Sequence, residues 1–406
     1  MLKRSKVAAL ATVLLGSISV THVAYAQYSD GKVKIGILTD LSGQLADSTG
    51  LGSIAAAEMA IEDFGPIADV KVEMISADHQ NKADIGSAIA RKWYDVEGVD
   101  AIIDVPNSGV ALAVQSITKE KNRVAIFSSP ASSDLTGKAC TPNGIHWTYD
   151  TYALAHVTAE AVLAGGQKNW FFLTSDYAFG HALERDTGSV VNANGGKVLG
   201  SVRMPANTPD FSSFLLQAQS SKAEVVALAT AGLDTQNAIK QAAEFGLPQS
   251  GKSMVALLLA ISEVNALGLS VTQGIRLTSP FYWDMSDVSR AFAKRFFEKR
   301  KAMPTFYQAG VYGAVTHYLK AIKAAKTDGA ELVMAKMKET SINDFMTKDG
   351  KVREDGRAIR DLHLFQVKAP SESKGPWDYY KLVHTIAGEK AFRPLSESEC
   401  PLVKKM

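Results

Sequence analysis

Short runs of contiguous apolar residues alternate along this chain with longer stretches whose apolar positions recur every three or four residues. The runs fall at 33–40, 70–77, 101–106 and 124–129, then at 170–175, 198–204, 225–230 and 254–259. Most are rich in Val, Ile, Leu and Phe, the pattern of parallel strands covered on both faces. Helical periodicity occupies 53–64, 83–94, 110–120, 152–164, 182–193, 211–220 and 235–245. Strand–helix alternation at this spacing predicts βαβ units, and hence an α/β fold of two doubly wound, Rossmann-like sheets. The alternation comes in two blocks of four strands, one ending near residue 147 and the other near 279. Two long helical patterns follow at 288–300 and 307–325. Runs at 362–367 and 379–385, joined by the polar stretch 370–376, read as a hairpin.

Two sheets followed by helices and a returning hairpin require the chain to pass between lobes more than once. The expected division is a leader over 1–26, an N-terminal lobe of 27–147 with 280–361, and a C-terminal lobe of 148–279 with 362–406. Crossovers are expected near His146–Asp150 and Ser279–Trp283. Several crossovers make a hinge, and clefts between hinged lobes are common sites for small molecules.

The leader has its own signature. Lys3, Arg4 and Lys6 precede an uncharged, mostly apolar run from 7 to 20, and Ala24-Tyr25-Ala26 gives the small-x-small pattern of a signal-peptidase site. Cleavage before Gln27 and residence in the periplasm follow as expectations. The run is shorter than the roughly 20 residues of a spanning helix and is diluted by Gly16, Ser17 and Ser19. No Cys lies near the cleavage site, which argues against a lipid anchor. Three of the 44 basic residues and none of the 42 acidic ones sit in the leader, so the remainder is close to neutral. Nothing resembles a nucleic-acid-binding stripe.

The two cysteines, Cys140 and Cys400, lie in polar, Pro-containing segments. In an oxidising compartment they read as one disulfide tying the C-terminal tail to the first lobe, with two buried free thiols as the alternative. Two cysteines and eight scattered histidines give no metal-ligand spacing, and no cofactor is expected. Gly50-Leu51-Gly52-Ser53-Ile54-Ala55 matches GxGxxA, but too far from the preceding strand for a dinucleotide turn; small residues packing a helix start explain it better. There is no GxSxG, no phosphate loop and no CxxC. Asp78-His79 and Asp176 with His181 lack a neighbouring nucleophile. An exported α/β hydrolase-like enzyme is thus the minor alternative to a receptor that catalyses nothing.

Several segments carry a family likeness. VKIGILTDLSGQLADSTGLGSIAAAEMAIEDFG (33–65), PNSGVALAVQ (106–115), FSSPASSDLTG (127–137), DYAFGHALERD (176–186) and DTQNAIKQAAEFGL (234–247) together resemble the leucine/isoleucine/valine-binding protein family, the type I periplasmic receptors of ABC transporters. ESKGPWDYYKLV (372–383) resembles a proteobacterial branch tied to diverse carboxylates. The resemblance implies a small carboxylate-type ligand: an aromatic or aliphatic acid, or a branched-chain amino acid. It also implies an ABC permease as partner, with a sensory partner as the alternative; a monomer is the default. Carried over by position, the ligand carboxylate is met on the first lobe by Asn107, Ser108, Ser129, Ala131 and Ser133. The second lobe brings Tyr177, Phe179, Ala231 and Asp234. Ser108 sits where a strand gives way to a helix, so its hydroxyl and nearby N–H groups suit an anion. Amino-acid-binding members place an acid after the last strand of the second lobe. Here that stretch is Ala256-Leu257-Leu258-Leu259-Ala260, with Glu263 a few residues late. Tyr149, Tyr177, Phe179, Tyr282 and Trp283 would suit a flat aromatic acid.

Overall fold

The apolar runs become the strands of two parallel sheets in the computed structural model, which describes residues 28–67 and 70–404. The leader expected over 1–26 lies outside the described residues. The first sheet contains β1 (Lys32–Thr39), β2 (Lys71–Asp78), β3 (Ala101–Asp104), β4 (Val124–Phe127) and β5 (Gly144–His146) in the order β2-β1-β3-β4-β5. The second contains β6 (Asn169–Ser175), β7 (Lys197–Met204), β8 (Val225–Ala229) and β9 (Ser253–Ala256) in the order β7-β6-β8-β9. Neighbouring strands are parallel throughout both sheets. β3, β4, β5 and β8 are buried at every residue, as unbroken apolar runs require. β2 and β7 are edge strands and carry exposed positions. In each sheet the strand order reverses once, between β1 and β3 and between β6 and β8, and ligands of such sheets lie at that reversal.

β10 (Arg276–Ser279) follows, then a two-stranded ribbon of β11 (Lys351–Val352) and β12 (Ala358–Ile359). The hairpin β13 (Leu362–Val367) and β14 (Tyr380–Ile386) pairs antiparallel with β10 in the order β10-β13-β14.

Helices α1 (Gly50–Phe64), α2 (Ala83–Asp95) and α3 (Ser108–Glu120) accompany the first sheet. With the second go α4 (Thr151–Ala164), α5 (Ala178–Ala193), α6 (Ser212–Ser220), α7 (Leu233–Glu244), α8 (Ile261–Leu267) and α9 (Leu269–Thr272). The chain then returns. α10 (Asp287–Arg300) and α11 (Phe306–Ala325) both pack on α1, α11 also meets β3, and α12 (Ala330–Glu339) packs on α11. Arg295 makes two 2.7 Å hydrogen bonds to Asp63 at the end of α1, and Tyr312 adds a third at 2.7 Å. Gly52 explains the GxGxxA match: a Cβ there would lie 2.0 Å from Gln308 Nε2, so the glycine admits α11.

Several elements go beyond the sequence reading. β5 gives the first sheet a fifth strand, but three residues are too few for any periodicity. β10 has four residues, and α12 follows the long α11 after only four residues. α5 begins at Ala178 rather than 182 because the turn from β6 is tight: a Cβ on Gly180 would sit 2.0 Å from Ser175 O.

The passage from β5 to α4 is anchored at its rear. His146 N donates to Gly356 O at 2.9 Å, and the fully buried Arg357 donates to Tyr149 O at 2.8 Å. Cys140 and Cys400 are joined as a disulfide, with their Cα atoms 5.6 Å apart. The tail ahead of Cys400 places Arg393 over the Tyr152 ring and 3.7 Å from Asp186.

Candidate functional site

The loops leaving the carboxyl ends of the strands in both parallel sheets converge on one small cavity. Its free volume is about 10 Å³, room for about one water molecule, so its walls stand nearly in contact. Leu45 and Thr49 come from the loop after β1, Pro106 from that after β3, and Ser129 and Ala131 from that after β4. Tyr149 follows β5. Tyr177 and Phe179 follow β6, Ala231 follows β8 and Leu258 follows β9, while Tyr307 opens α11. The wall is apolar carbon interrupted by five hydroxyls, with no charged side chain in it.

Local chemistry sets each of these side chains. Thr305 caps α11, receiving the Gln308 N–H, and its hydroxyl donates to Ser48 O at 2.7 Å, while Gln308 Nε2 reaches Thr49 O at 3.2 Å. Those two bonds bind the start of α11 to the loop after β1 and leave Tyr307 on the cavity. Tyr149 packs edge-on against Phe306 and Tyr307 at ring distances of 5.2 and 5.8 Å, and its hydroxyl donates to Ser129 O at 2.8 Å. Tyr177 and Phe179 lie together, 5.8 Å apart, across the turn into α5.

Six of the residues singled out in the sequence therefore share this cavity: Ser129, Ala131, Tyr149, Tyr177, Phe179 and Ala231. The other six are placed outside its lining. Asn107 caps α3, its side chain accepting from the N–H groups of Gly109 and Val110. Ser108 Oγ accepts from Ala131 N at 3.3 Å and Ser132 N at 3.1 Å, so these N–H groups are already satisfied internally. Ser133 donates to Asp186 at 2.7 Å and receives Arg185 at 2.8 Å, joining the turn after β4 to α5. Asp234 is fully buried and accepts from Asn207 N and Thr208 N; burial pushes its carboxyl up to about 6. Tyr282 and Trp283 both donate to Trp377 O, at 3.0 and 2.8 Å, and pack towards the β13–β14 hairpin.

Sequence reasoning passed over Leu45, Thr49, Pro106, Leu258 and Tyr307. The first two lie in a loop without periodicity, and Tyr307 belongs to a helix more than 150 residues from Tyr149. Glu263 stands on α8. It is buried, accepts from Ala260 N at 2.7 Å, and burial pushes its carboxyl up to about 8. It is near enough to Tyr149 and Tyr307 that its charge would raise both phenols.

Opposite loops also meet backbone to backbone. Leu233 N donates to Gln44 O at 3.3 Å. Gly232 holds φ at +60°, and a Cβ on it would lie 2.3 Å from Gln44 O. Only glycine tolerates both the conformation and the approach.

The acid–histidine pairs form no second centre. His79 is fully buried, accepts from Asn81 N at 3.0 Å, and is held down to about 4 by burial. His181 sits 2.7 Å from Asp176 on the exposed start of α5. Among the described residues no group of His, Cys, Asp and Glu could hold a metal ion.

The sequence profile described as "Periplasmic binding protein" matches residues 32–376. Leu/Ile/Val-binding protein homolog 6 of Brucella melitensis is 28% identical over 324 residues, covering 77% of this chain and 81% of that protein. A periplasmic binding protein of Burkholderia mallei shares 51% identity with a TM-score of 0.91, covering 92% of this chain and all of that one. A branched-chain amino acid ABC transporter ligand-binding protein of Burkholderia xenovorans shares 42% with a TM-score of 0.81 at the same coverage. More distant structures show the shared fold alone. A Rhodopseudomonas palustris solute-binding protein in complex with 3,4-dihydroxybenzoic acid is 20% identical, with a TM-score of 0.80 and coverage of 88% and 98%. A Thermotoga maritima leucine-binding protein is 19% identical, with a TM-score of 0.78 and coverage of 88% and 99%. A chain that matches this profile over most of its length, in the type I fold of solute-binding receptors, belongs to the periplasmic binding protein family.

Proposed function

We propose that this chain is an exported, monomeric receptor that traps a small carboxylate-type solute between two lobes and delivers it to an ABC permease, without catalysing a reaction. The lobes are 27–147 with 280–361 and 148–279 with 362–406, hinged through the crossovers near His146–Asp150 and Ser279–Trp283. The observation that carries this reading is the cavity walled by loops from both parallel sheets, five hydroxyls on an otherwise apolar surface. Such a wall suits a compact ligand with an apolar body and a few polar contacts. The aromatic acid held by the Rhodopseudomonas protein and the leucine named for the Thermotoga protein bracket that class. Ser129, Ala131, Tyr149, Tyr177, Phe179 and Ala231 are assigned to contact the solute. Asn107, Ser108 and Ser133 shape the loops around it. Closure over the solute shifts the population to the form that a permease engages. The leader over 1–26 places the receptor in the periplasm.

A thermal-shift screen of purified protein against aliphatic acids, aromatic acids and branched-chain amino acids tests this. A ligand bound only by the folded state adds about 2.7 kcal/mol at a hundredfold excess over its Kd. A shift with one of these classes, lost in Tyr177→Ala with Phe179→Ala, is the expected result. Shifts only with sugars or metal ions, or turnover of the bound acid, would refute it.

A further inference from the structure

A buried acid stands behind one side of the cavity wall. Asp104 ends β3, is fully buried, and is followed by Val105; the two hold φ at +91° and +59°. Consecutive non-glycine residues seldom adopt that conformation, and it persists only where the surroundings enforce it. Around the Asp104 carboxyl stand the hydroxyls of Ser128, Ser129, Thr39 and Ser53. Ser128 Oγ donates to Oδ1 at 3.2 Å, and Ser129 Oγ donates to the same oxygen. The same polarity holds for the anion and for the acid protonated on Oδ2, which leaves Oδ1 an acceptor.

Ser129 has a single proton. With that proton directed to Asp104, its oxygen turns only lone pairs to the cavity it lines. Its neighbours are committed in the same way. Tyr149 donates to Ser129 O at 2.8 Å, and Thr49 donates to Leu45 O at 2.9 Å. The N–H groups of Ala131 and Ser132 end on Ser108 Oγ. That side of the cavity presents acceptors, which repel a carboxylate and welcome a donor.

We infer that Asp104 is a positioning residue that holds Ser129 as an acceptor, so that the receptor selects carboxylate-type solutes that also carry a hydroxyl or ammonium hydrogen. This rests on the ligand class proposed above and narrows it. The solute's donor faces Ser129 and Tyr149. Its carboxylate lies towards the Tyr177 hydroxyl.

Two matched pairs test the inference by calorimetry: 4-hydroxybenzoate against benzoate, and L-leucine against 4-methylpentanoate. In each pair only the first member carries the donor, and the pairs separate a hydroxyl from an ammonium. The donor-bearing member of at least one pair should bind about tenfold tighter or more, since a site built for a donor rejects the analogue that lacks it. Ser129→Ala should bring that ratio to within about twofold. Asp104→Ala should do the same, while Asp104→Asn, which keeps an acceptor oxygen and tolerates positive φ, should preserve it. A merely structural Asp104 would weaken both members alike and leave the ratio intact. Equal binding within both pairs, or a preference that survives Ser129→Ala, would overturn the inference and leave the ligand class standing. No binding by any of the four would overturn both.

Discussion

Glu263 is a carboxyl enclosed by protein and held by the Ala260 N–H, and burial lifts its pKa from 4.5 to about 8. A raised carboxyl pKa favours folding while the group is protonated. Its contribution is complete below about pH 4.5 and is lost as pH rises through about 8. Glu263→Gln keeps the acceptor oxygen and removes the ionisation. It should flatten the fall in stability between pH 5 and 9, and exceed the parent at pH 9 by on the order of a few kcal/mol. Urea unfolding at the two pH values measures this, and parallel losses in both proteins would exclude Glu263. At this scale the sequence was half legible. Tyr149, Tyr177 and Phe179 gather around the cavity because large aromatics beside strand ends have few other places to go. Ser108 and Ser133 look equally suited to an anion, but a serine at a helix start can face a ligand or its own backbone. Only the fold decides that Ser108 serves Ala131 and Ser132.

Among the elements, the loops after β1 and β8 meet at Gly232. Its positive φ and the 2.3 Å separation between a built Cβ and Gln44 O mean that Gly232→Ala must push the two backbones apart. If that contact belongs to the solute-holding form, the substitution should weaken solute binding tenfold or more while leaving the melting temperature of the solute-free protein within a few degrees. An unchanged Kd would show that the loops need not touch. The parallel strands were readable from apolar runs, since strands buried on both faces have no alternation to hide. β5 was not, because its three residues are too few for any pattern, and neither was β10, whose four residues pair with β13 nearly 90 residues on. The loop carrying Leu45 and Thr49 has no period at all; it is shaped by Asp40, which accepts from Gly43 N and Leu45 N at 2.7 and 2.9 Å.

For the molecule as a whole, the Cys140–Cys400 bond closes a loop of 260 residues. In the chain-entropy picture a loop of that length adds on the order of 5–6 kcal/mol by restricting the unfolded chain. Cys140→Ser should lower the melting temperature by several degrees under oxidising conditions, with solute affinity little changed because neither sulfur lines the cavity. Scanning calorimetry with and without reductant checks it; identical transitions for parent and variant under oxidising conditions would mean the bond contributes nothing.

The spacing of those two sulfurs also governs how the protein is made. On a chain made amino end first, Cys140 appears 260 residues before Cys400 and stays a lone thiol until the tail follows. With two cysteines in the sequence, there is one intramolecular pairing and nothing for an isomerase to correct. The error left open is between molecules: two half-made chains joined through Cys140, a crosslinked dimer whose yield rises with the rate of synthesis.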